Sequence, residues 1–253
     1  MPGPSASVEA LSERWRRAER VAVLTGAGLS TASGIPDFRS PGGRWSTYRP
    51  VTIQEFLASA EARQRYWRYK GETWRVIAAA SPNAGHAALA DLARAGRIAL
   101  LVTQNVDGLH ERTGVPAERL VTIHGTDSAV ACTSCGRRAA RSVAQEAWEQ
   151  GAAVPCCPCG GPWKPATISF GQSLVEADLA RAFDAAAGCD LFVAAGTSLV
   201  VGPVNRMFSL AARTGAATAI VTASDTPYDA AATFRLRDRV ETVLPAIRDQ
   251  VLG

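Results

Sequence analysis

Two groups of cysteines constrain the fold of this chain more than any other sequence feature. Cys132 and Cys135 are separated by two residues, and three further cysteines follow within positions 156–159. Two thiolate pairs at such a separation can close on one tetrahedral zinc ion. Glycines follow both groups and let the backbone turn so that the sulfurs face one point. We therefore predict that residues 131–165 form a small zinc-binding module.

The spacing also predicts which cysteines bind the metal. Cys156 with Cys159 keeps the usual two-residue spacer, whereas Cys157 with Cys159 leaves a single residue between them. Cys157 is therefore predicted to be a bystander, and the predicted ligands of one zinc per chain are Cys132, Cys135, Cys156 and Cys159. Four thiolates leave the zinc no open position, so the metal is expected to be structural. Two disulfides are the alternative, which the lack of any mark of secretion disfavours.

The charge and hydropathy of the chain narrow its class of function. Lys and Arg total 27 against 23 Asp and Glu, which gives a net charge of +4. This excess is small and scattered, so no nucleic-acid partner is predicted. The first residues lack a basic segment followed by an apolar run, and no stretch reaches about 18 uninterrupted apolar residues, so no membrane partner is predicted. We expect a cytoplasmic protein, since its six cysteines suit a reducing compartment.

Short apolar runs alternate with helical patterns along most of the chain. Apolar residues recur at helical spacing ahead of the first two runs, for example at Val8, Leu11 and Trp15. The runs themselves are predicted to be buried strands and lie at 21–25, 98–102, 191–195 and 219–222. This alternation is typical of an α/β fold, in which helices cover both faces of a parallel sheet.

Two segments interrupt the alternation and are predicted to be insertions. Residues 41–81, rich in Arg, Trp and Tyr, are predicted to form a helical insertion, and residues 131–165 form the zinc-binding module. The rest is predicted to be one Rossmann-like parallel sheet domain built from 8–40, 82–130 and 166–248, so residues 1–253 form a single functional chain.

A glycine-rich turn follows the first predicted strand. Gly26 and Gly28 stand where a strand passes into a helix, so the backbone can approach a pyrophosphate whose charge the helix N-terminus stabilises. The third glycine of the dinucleotide fingerprint is replaced by Thr31, and no acidic residue ends a second strand about 20 residues later, which disfavours an ordinary dehydrogenase. A rigid, aromatic and charged loop at 35–39 continues the turn and is of the kind that closes over a ligand.

Five motifs occur in order around the cysteine groups. They are GAGLSTASGIPDFRS at 26–40, TQNVDGLH at 103–110, IHGT at 123–126, SFGQ at 169–172 and GTSLVVGP at 196–203. With the cysteines, this series resembles the sirtuin (Sir2) family of NAD-dependent protein lysine deacylases, bacterial type, over about residues 10–248. The resemblance implies a transferase that consumes NAD as a co-substrate and releases nicotinamide and O-acyl-ADP-ribose. It also implies that the zinc is structural and that the partners are proteins or peptides carrying acylated lysine.

The resemblance assigns the catalytic positions to Asn105, Asp107 and His124. Asn105 and Asp107 match the positions that hold the carboxamide and ribose of NAD, where a carboxylate can stabilise positive charge as the glycosidic bond breaks. His124 is expected to be the general base for a ribose hydroxyl, since an ordinary imidazole is largely neutral at neutral pH. A simple turn at 105–108 and a structural histidine are the alternative interpretations. The other two histidines, His86 and His110, are predicted to be structural.

The family pattern also implies the residues that contact the cofactor and the substrate. The cofactor set is Gly26, Ala27, Gly28, Ser30, Thr31, Asp37, Phe38, Arg39, Trp45, Gln104, Asn105, Asp107, His124, Gly196, Thr197, Ser198, Thr222, Ala223, Ser224 and Val240. The substrate set is Thr167, Ile168, Phe170 and Gly171, a segment that would pair its backbone with an extended peptide. Ile168 and Phe170 are expected to line the tunnel for the acyl-lysine.

The chain departs from the family pattern at three places. The strand that usually receives the adenine ribose with Asn and an acidic residue carries Thr222 and Ser224, and Gln172 replaces the common Glu. In the helical insertion, Arg68 follows Tyr66 at a spacing of two, not the three typical of members that remove acidic acyl groups. An ADP-ribosyltransferase or NAD hydrolase using the same pocket is the alternative activity. A non-catalytic NAD sensor or zinc-ribbon binding module is the alternative outside enzymology.

Overall fold

The computed structural model describes residues 7–37 and 48–253. Within these ranges the strands are β1 (Val21–Thr25), β2 (Leu100–Thr103), β3 (Leu120–Thr122), β4 (Gly125–Cys132), β5 (Arg138–Ala140), β6 (Trp163–Thr167), β7 (Leu191–Ala195), β8 (Ala217–Val221) and β9 (Phe234–Leu236). The helices are α1 (Val8–Arg17), α2 (Ile53–Ala58), α3 (Ala60–Ala79), α4 (Ala84–Arg94), α5 (Leu109–Arg112), α6 (Arg141–Glu149), α7 (Glu176–Gly188), α8 (Arg206–Arg213) and α9 (Val240–Leu252).

A parallel sheet of six strands forms the larger part of the structure. Its strand order is β3-β2-β1-β7-β8-β9, and every neighbouring pair runs parallel. The chain fills the sheet outward from β1 to β3 on one side and from β7 to β9 on the other. The order therefore reverses between β1 and β7, and in open parallel sheets ligands bind at the carboxyl ends of the strands at such a reversal.

Helices cover both faces of this sheet, as the continuous apolar runs predict. Along β1, Val21 and Val23 pack with α1, α4 and α9, whereas Ala22 and Leu24 pack with α7 and α8. All residues of β1 and of β7 are buried. Because side chains alternate along a strand, a run that is apolar on both faces, such as β7, requires two covering layers.

The helical insertion and the cysteine-containing segment pack together into one inserted subdomain, formed by residues 51–79 and 125–167. It contains α2, α3, α6 and an antiparallel sheet of order β5-β4-β6. Phe56 and Trp67 of the helical part share a core with Val130 and Trp163 of the strands. The indole nitrogen Nε1 of Trp67 also donates a hydrogen bond to the carbonyl oxygen of Trp163 at 2.8 Å.

The structure confirms the predicted fold class and shifts several boundaries. The predicted strands at 21–25 and 191–195 match β1 and β7, whereas β2 begins two residues later than predicted and β8 two residues earlier. The antiparallel sheet begins at Gly125, well before the predicted start of the zinc-binding module. β9 was not anticipated, because its three residues include the charged Arg235. In the described part of the chain, no helix has both the length and the apolar character needed to cross a membrane.

Candidate active site

A cavity of about 630 Å³ opens at the carboxyl edge of the parallel sheet. The segments that follow β1, β2, β3, β7 and β8 line one side, with Gly26, Asn105, His124, Gly196 and Thr222 among their residues. The inserted subdomain lines the other side. The cavity therefore lies at the reversal of strand order, where this topology places ligands.

Two glycine turns meet at the floor of the cavity. The amide of Gly28 donates a hydrogen bond to the carbonyl oxygen of Gly196 at 2.8 Å. A Cβ atom at Gly28 would lie 2.9 Å from that oxygen, and one at Gly26 would lie 2.7 Å from Cβ of Thr197. Side chains at either position would force the two turns apart. The glycines thus leave bare backbone at the cavity floor, which suits close approach of a pyrophosphate.

Asn105 and Asp107 lie under the first glycine turn in a continuous hydrogen-bond chain. The side-chain amide of Asn105 donates to the carbonyl oxygen of Gly26 at 3.0 Å and to Oγ of Ser30 at 3.1 Å. Ser30 in turn donates to Oδ2 of Asp107 at 2.7 Å, and the amide of Leu109 donates to Oδ1 at 3.0 Å. The carboxyl and the amide are therefore fixed relative to the turn.

Burial changes the protonation behaviour of Asp107. Desolvation raises the pKa of this carboxyl, and the hydrogen bonds from Leu109 and Ser30 oppose the rise. When ionised, it is a poorly solvated carboxylate at the cavity wall. Such a group interacts strongly with positive charge developing beside it, because little water screens the interaction.

His124 has the geometry of a general base. Its Nδ1 lies 3.1 Å from the carbonyl oxygen of Gln104. A carbonyl can only accept, so Nδ1 carries the proton and Nε2 keeps its lone pair. Burial lowers the pKa of His124, and the hydrogen bond to Gln104 partly opposes this. The imidazole is therefore neutral at neutral pH and able to take a proton.

The other two histidines lie behind the cavity. Nε2 of His110 is 3.1 Å from Oγ1 of Thr25, and Nδ1 of His86 accepts from the amide of Asn83 at 3.4 Å. Their rings are 5.0 Å apart, and burial lowers the pKa of His86 to about 4 and that of His110 to about 3. Both positions suit the structural role predicted for them.

Most residues of the predicted cofactor and substrate sets line this cavity. They are Gly26, Ala27, Gly28, Ser30, Asp37, Gln104, Asn105, Asp107, His124, Thr167, Ile168, Phe170, Gly171, Gly196, Thr197, Ser198, Thr222 and Ser224. Phe38, Arg39 and Trp45 lie outside the described residues.

Three predicted cofactor residues, Thr31, Ala223 and Val240, are not part of the cavity lining within the described ranges. Thr31 begins the short helical turn that follows the first glycine turn. Its Oγ1 donates a hydrogen bond to the carbonyl oxygen of Gly28 at 2.9 Å, so it supports that turn. Ala223 is exposed. Val240 is buried in the core at the start of α9.

The predicted substrate segment lies directly beside His124. The amide of Ile168 donates to the carbonyl oxygen of His124 at 2.8 Å, and Thr167 is paired with Gly125 in the antiparallel sheet. On its other side, the carbonyl oxygen of Phe170 accepts from the amide of Ile53 at 3.0 Å. The Phe170 side chain is half exposed at the mouth of the cavity. The segment is thus anchored at both ends and places an apolar ring at the mouth of the cavity.

One face of α3 forms a further wall of the cavity, which the sequence did not predict. Its residues that line the cavity are Tyr66, Tyr69, Lys70, Thr73 and Ile77. They recur at helical spacing, so an analysis of which face of the insertion carries them could have found this wall.

A buried carboxylate joins this wall to the rest of the subdomain. Lys70 Nζ lies 2.8 Å from Oδ2 of Asp127, and Nε of Arg141 lies 3.2 Å from Oδ1. The guanidinium of Arg141 also lies over the rings of Trp67 and Trp74. Asp127 is fully buried, so both cations are needed to compensate the loss of its hydration.

The cysteine cluster corrects the predicted ligand set. The sulfurs of Cys132, Cys135, Cys157 and Cys159 all lie within 4.8 Å of one another, whereas Cys156 is exposed and its sulfur is directed to the carbonyl oxygen of Val154. A tetrahedron with Zn–S bonds of about 2.3 Å has S–S edges of about 3.8 Å. The four sulfurs fit such a tetrahedron. The Sγ atoms of Cys132 and Cys159 are 3.5 Å apart, and those of Cys135 and Cys157 are 3.8 Å apart.

The reason for the correction is the local strand geometry. Cys156 forms a β-bridge with Pro162, and neighbouring side chains on extended backbone point to opposite sides. Cys157 therefore points inward where Cys156 points outward. The amide of Gly160 then donates to the carbonyl oxygen of Cys157 at 2.8 Å, closing a turn tight enough to bring Cys159 back with a single intervening residue.

Comparison with known proteins gives this site its context. The Sir2 family matches residues 26–203. NAD-dependent protein deacetylase 1 of Bradyrhizobium diazoefficiens is 40% identical over 95% of both chains, and NAD-dependent protein deacetylase 2 of Streptomyces coelicolor is 40% identical over 90% of this chain and 95% of its own. A solved complex of Sir2 with a p53 peptide and NAD⁺ superposes with a TM-score of 0.88 at 28% identity, covering 96% of this chain and 98% of that one. The chain belongs to the Sir2 family.

Proposed function

We propose that this chain is an NAD-dependent protein lysine deacylase that releases nicotinamide and O-acyl-ADP-ribose. The observation that carries the proposal is the convergence of Asn105, Asp107 and a neutral His124 on one cavity, beside a segment that can bind an extended peptide. Relatives at 40% identity are NAD-dependent protein deacetylases, and they align over nearly their full length.

The floor and walls of the cavity fit a dinucleotide. Bare backbone at Gly28 and Gly196 suits the pyrophosphate, and the amide of Asn105 and the carboxyl of Asp107 suit the nicotinamide ribose end. NAD, when bound, supplies an activated ribosyl group that can exchange nicotinamide for the acyl oxygen of the substrate.

Each catalytic residue then has one task. Asp107 offers a carboxylate that stabilises positive charge beside the first glycine turn. Asn105 fixes the position of that turn, and so of its ligand, through its hydrogen bonds to Gly26 and Ser30. His124 accepts a hydroxyl proton at Nε2, because its Nδ1 proton is committed to Gln104.

We also propose that Cys132, Cys135, Cys157 and Cys159 hold one structural zinc ion. Four sulfurs at nearly tetrahedral separations leave no position for substrate. The cluster joins β4 to the turn before β6, so the metal would fix the two strands that carry His124 and the substrate segment at their far ends.

Acylated lysine in an extended peptide is the proposed substrate. The segment 167–171 lies along the cavity mouth, and backbone pairing with it would accept many sequences while Ile168 and Phe170 contact the acyl-lysine side chain.

A product analysis tests the proposed function. Purified protein, NAD and a panel of acyl-lysine peptides should yield deacylated peptide, nicotinamide and O-acyl-ADP-ribose in equal amounts, identified by mass. The His124→Ala variant is the matched control. ADP-ribose attached to protein would instead show an ADP-ribosyltransferase, free ADP-ribose without deacylation would show an NAD hydrolase, and no NAD consumption would leave only a binding role.

A further inference from the structure

The cavity wall formed by α3 carries a positive charge beside the segment proposed to bind the substrate. Lys70 lines the cavity, and its Nζ lies 2.8 Å from Oδ2 of the buried Asp127. Tyr66 lies on the same face of α3, with its hydroxyl oxygen 3.4 Å from Oγ1 of Thr167 in the substrate segment. If the proposed function is correct, on which this inference rests, an acyl-lysine that passes Ile168 places its acyl group against this wall.

The charges around Asp127 do not balance. Lys70 pairs with one oxygen of this carboxylate, and Nε of Arg141 lies 3.2 Å from the other. A second carboxylate that acts on Arg141, that of Glu149, is itself paired with Arg75 at the surface. Two buried cations thus share one buried carboxylate. A buried charge in excess is costly unless a counter-ion approaches it, and Lys70 is open to such a counter-ion from the cavity.

Lys70 can bind a second carboxylate without leaving Asp127. An ammonium group has three N–H donors, and Asp127 accepts from one of them. Burial opposes the charge of Lys70, but the nearby Asp127 raises the pKa of Lys70 above its ordinary value, so the group is cationic at neutral pH. Its side chain is only 12% exposed, and little water therefore screens its attraction for a charged ligand.

The rest of this wall has the character of a pocket for a short carbon chain. The rings of Tyr48 and Tyr69 stack with 3.7 Å between their centroids, and both residues line the cavity together with Ile77. A neutral aliphatic acyl group would contact these apolar surfaces but would also keep water from the ammonium group of Lys70. An acyl group that ends in a carboxylate would replace that water with an ion pair, and a site with a buried polar group discriminates against a ligand that leaves it unpaired.

We propose that this chain is selective for lysines whose acyl group ends in a carboxylate, and that Lys70 binds this carboxylate. Arg141 keeps Asp127 compensated, so the charge of Lys70 is available to the substrate. The sequence disfavours such substrates through the spacing of Tyr66 and Arg68. Arg68, however, is exposed and is not part of the cavity lining within the described ranges. The cation of α3 that lines the cavity is Lys70, later in the same helix.

Calorimetric binding of two peptides to the full-length protein tests this proposal. The peptides share one sequence and carry either succinyl-lysine or butyryl-lysine, which have the same number of acyl carbons and differ in the terminal carboxylate. The wild type should bind the succinyl peptide at least about tenfold more tightly, because a charge-assisted contact forms in a site with little water. Lys70→Met keeps the length of the side chain and should abolish this preference. The variant should fold, because Asp127 stays paired with Arg141.

Arg68→Met is the matched control, since it removes an exposed cation from the same helix and should keep the wild-type preference. If Lys70→Met does not fold, Lys70→Gln retains a donor for Asp127 without the charge and has the same expectation. Equal binding of the two peptides by the wild type, or a preference that survives in a folded Lys70 variant or is lost in Arg68→Met, overturns this inference alone.

Deacylation of the same two peptides separates this inference from the proposed function. Values of kcat/KM for the wild type should favour the succinyl peptide, and the product should be an O-acyl-ADP-ribose that keeps the carboxylate, identified by mass. Deacylation of both peptides with equal kcat/KM contradicts the selectivity and leaves the deacylase activity standing. A wild type that consumes no NAD with either peptide overturns the proposed function instead.

Discussion

In the parallel sheet, β1 and β7 are buried along their whole length, whereas β5 in the inserted subdomain has no fully buried residue. The sheet domain has two large apolar clusters, one on each face. The subdomain has one smaller cluster, and it adds the cysteine cluster and the buried charges around Asp127. Apolar burial on two faces is the main feature of the first region. The second adds four clustered cysteines, which we propose hold a metal, and compensated charges, each of which one substitution can remove.

The largest expected effect that sharpens this contrast comes from the cysteines. Cys157→Ser should lose the bound zinc and unfold the subdomain, because structural zinc contributes about 10–16 kcal/mol to the folding of such sites. Cys156→Ser should keep both zinc content and melting temperature. Metal analysis and thermal unfolding of the two variants measure this. Zinc retained by Cys157→Ser and lost by Cys156→Ser would restore the ligand set predicted from spacing.

The second effect concerns the buried carboxylate of the subdomain. Asp127→Asn should lower the free energy of unfolding by about 3–5 kcal/mol, because Lys70 and Arg141 would keep buried charges without their partner. Glu149→Gln is a control, since Glu149 pairs with Arg75 at the surface and should matter little. Denaturant unfolding compares them. Equal stability of the two variants would show that the charges around Asp127 do not distinguish the subdomain from the sheet domain.

The third effect lies where the two regions meet. His124→Ala should reduce deacylation at least about 10²-fold, consistent with loss of a general base. Exchange of labelled nicotinamide into NAD should survive in part, because Asn105 and Asp107 on the sheet side remain intact. Deacylation at a near-normal rate would show that His124 only supports the junction.

The pH dependence of wild-type activity gives a smaller, directional test of the same residue. A base must be neutral to act, and burial lowers the pKa of His124 below its ordinary 6.5. The rate should therefore rise with pH along an acid limb centred below 6.5, and should be level at neutral pH. Values of kcat/KM measured across this range check it. An acid limb centred above 6.5 would mean that another group controls the reaction.

The smallest expected effect concerns Thr222, which follows β8 on the side of the cavity formed by the parallel sheet. Thr222→Asn should lower the KM for NAD a few-fold with little change in kcat, because an amide can contact two ribose hydroxyls where a hydroxyl reaches one. Steady-state kinetics with varied NAD measures it. A raised KM would mean that the loop after β8 already fills the place that an Asn at 222 would take.

The sequence predicted the sheet domain better than the subdomain, for a physical reason. Runs such as 191–195 are apolar throughout, so burial on both faces follows from composition. The identity of the fourth cysteine depended on which way one extended residue points, and spacing does not encode that for Cys156 and Cys157. The helical spacing of the α3 residues is visible in the sequence, but that this face of α3 meets the cavity depended on which elements meet in space. The turn residues Gly26 and Gly28, by contrast, were identified because their chemistry is local.

The hydrogen bond from the amide of Ile168 to the carbonyl oxygen of His124 has an evolutionary consequence. It ties the segment proposed to bind the peptide to the residue proposed as the base, and both atoms belong to the backbone. No side-chain substitution removes it; only proline at position 168, which lacks the amide hydrogen, would do so. The side chains of Ile168 and Phe170 can therefore change without loss of this hydrogen bond, and such changes would alter which acyl group or peptide is preferred. The backbone bond would still hold the segment beside His124.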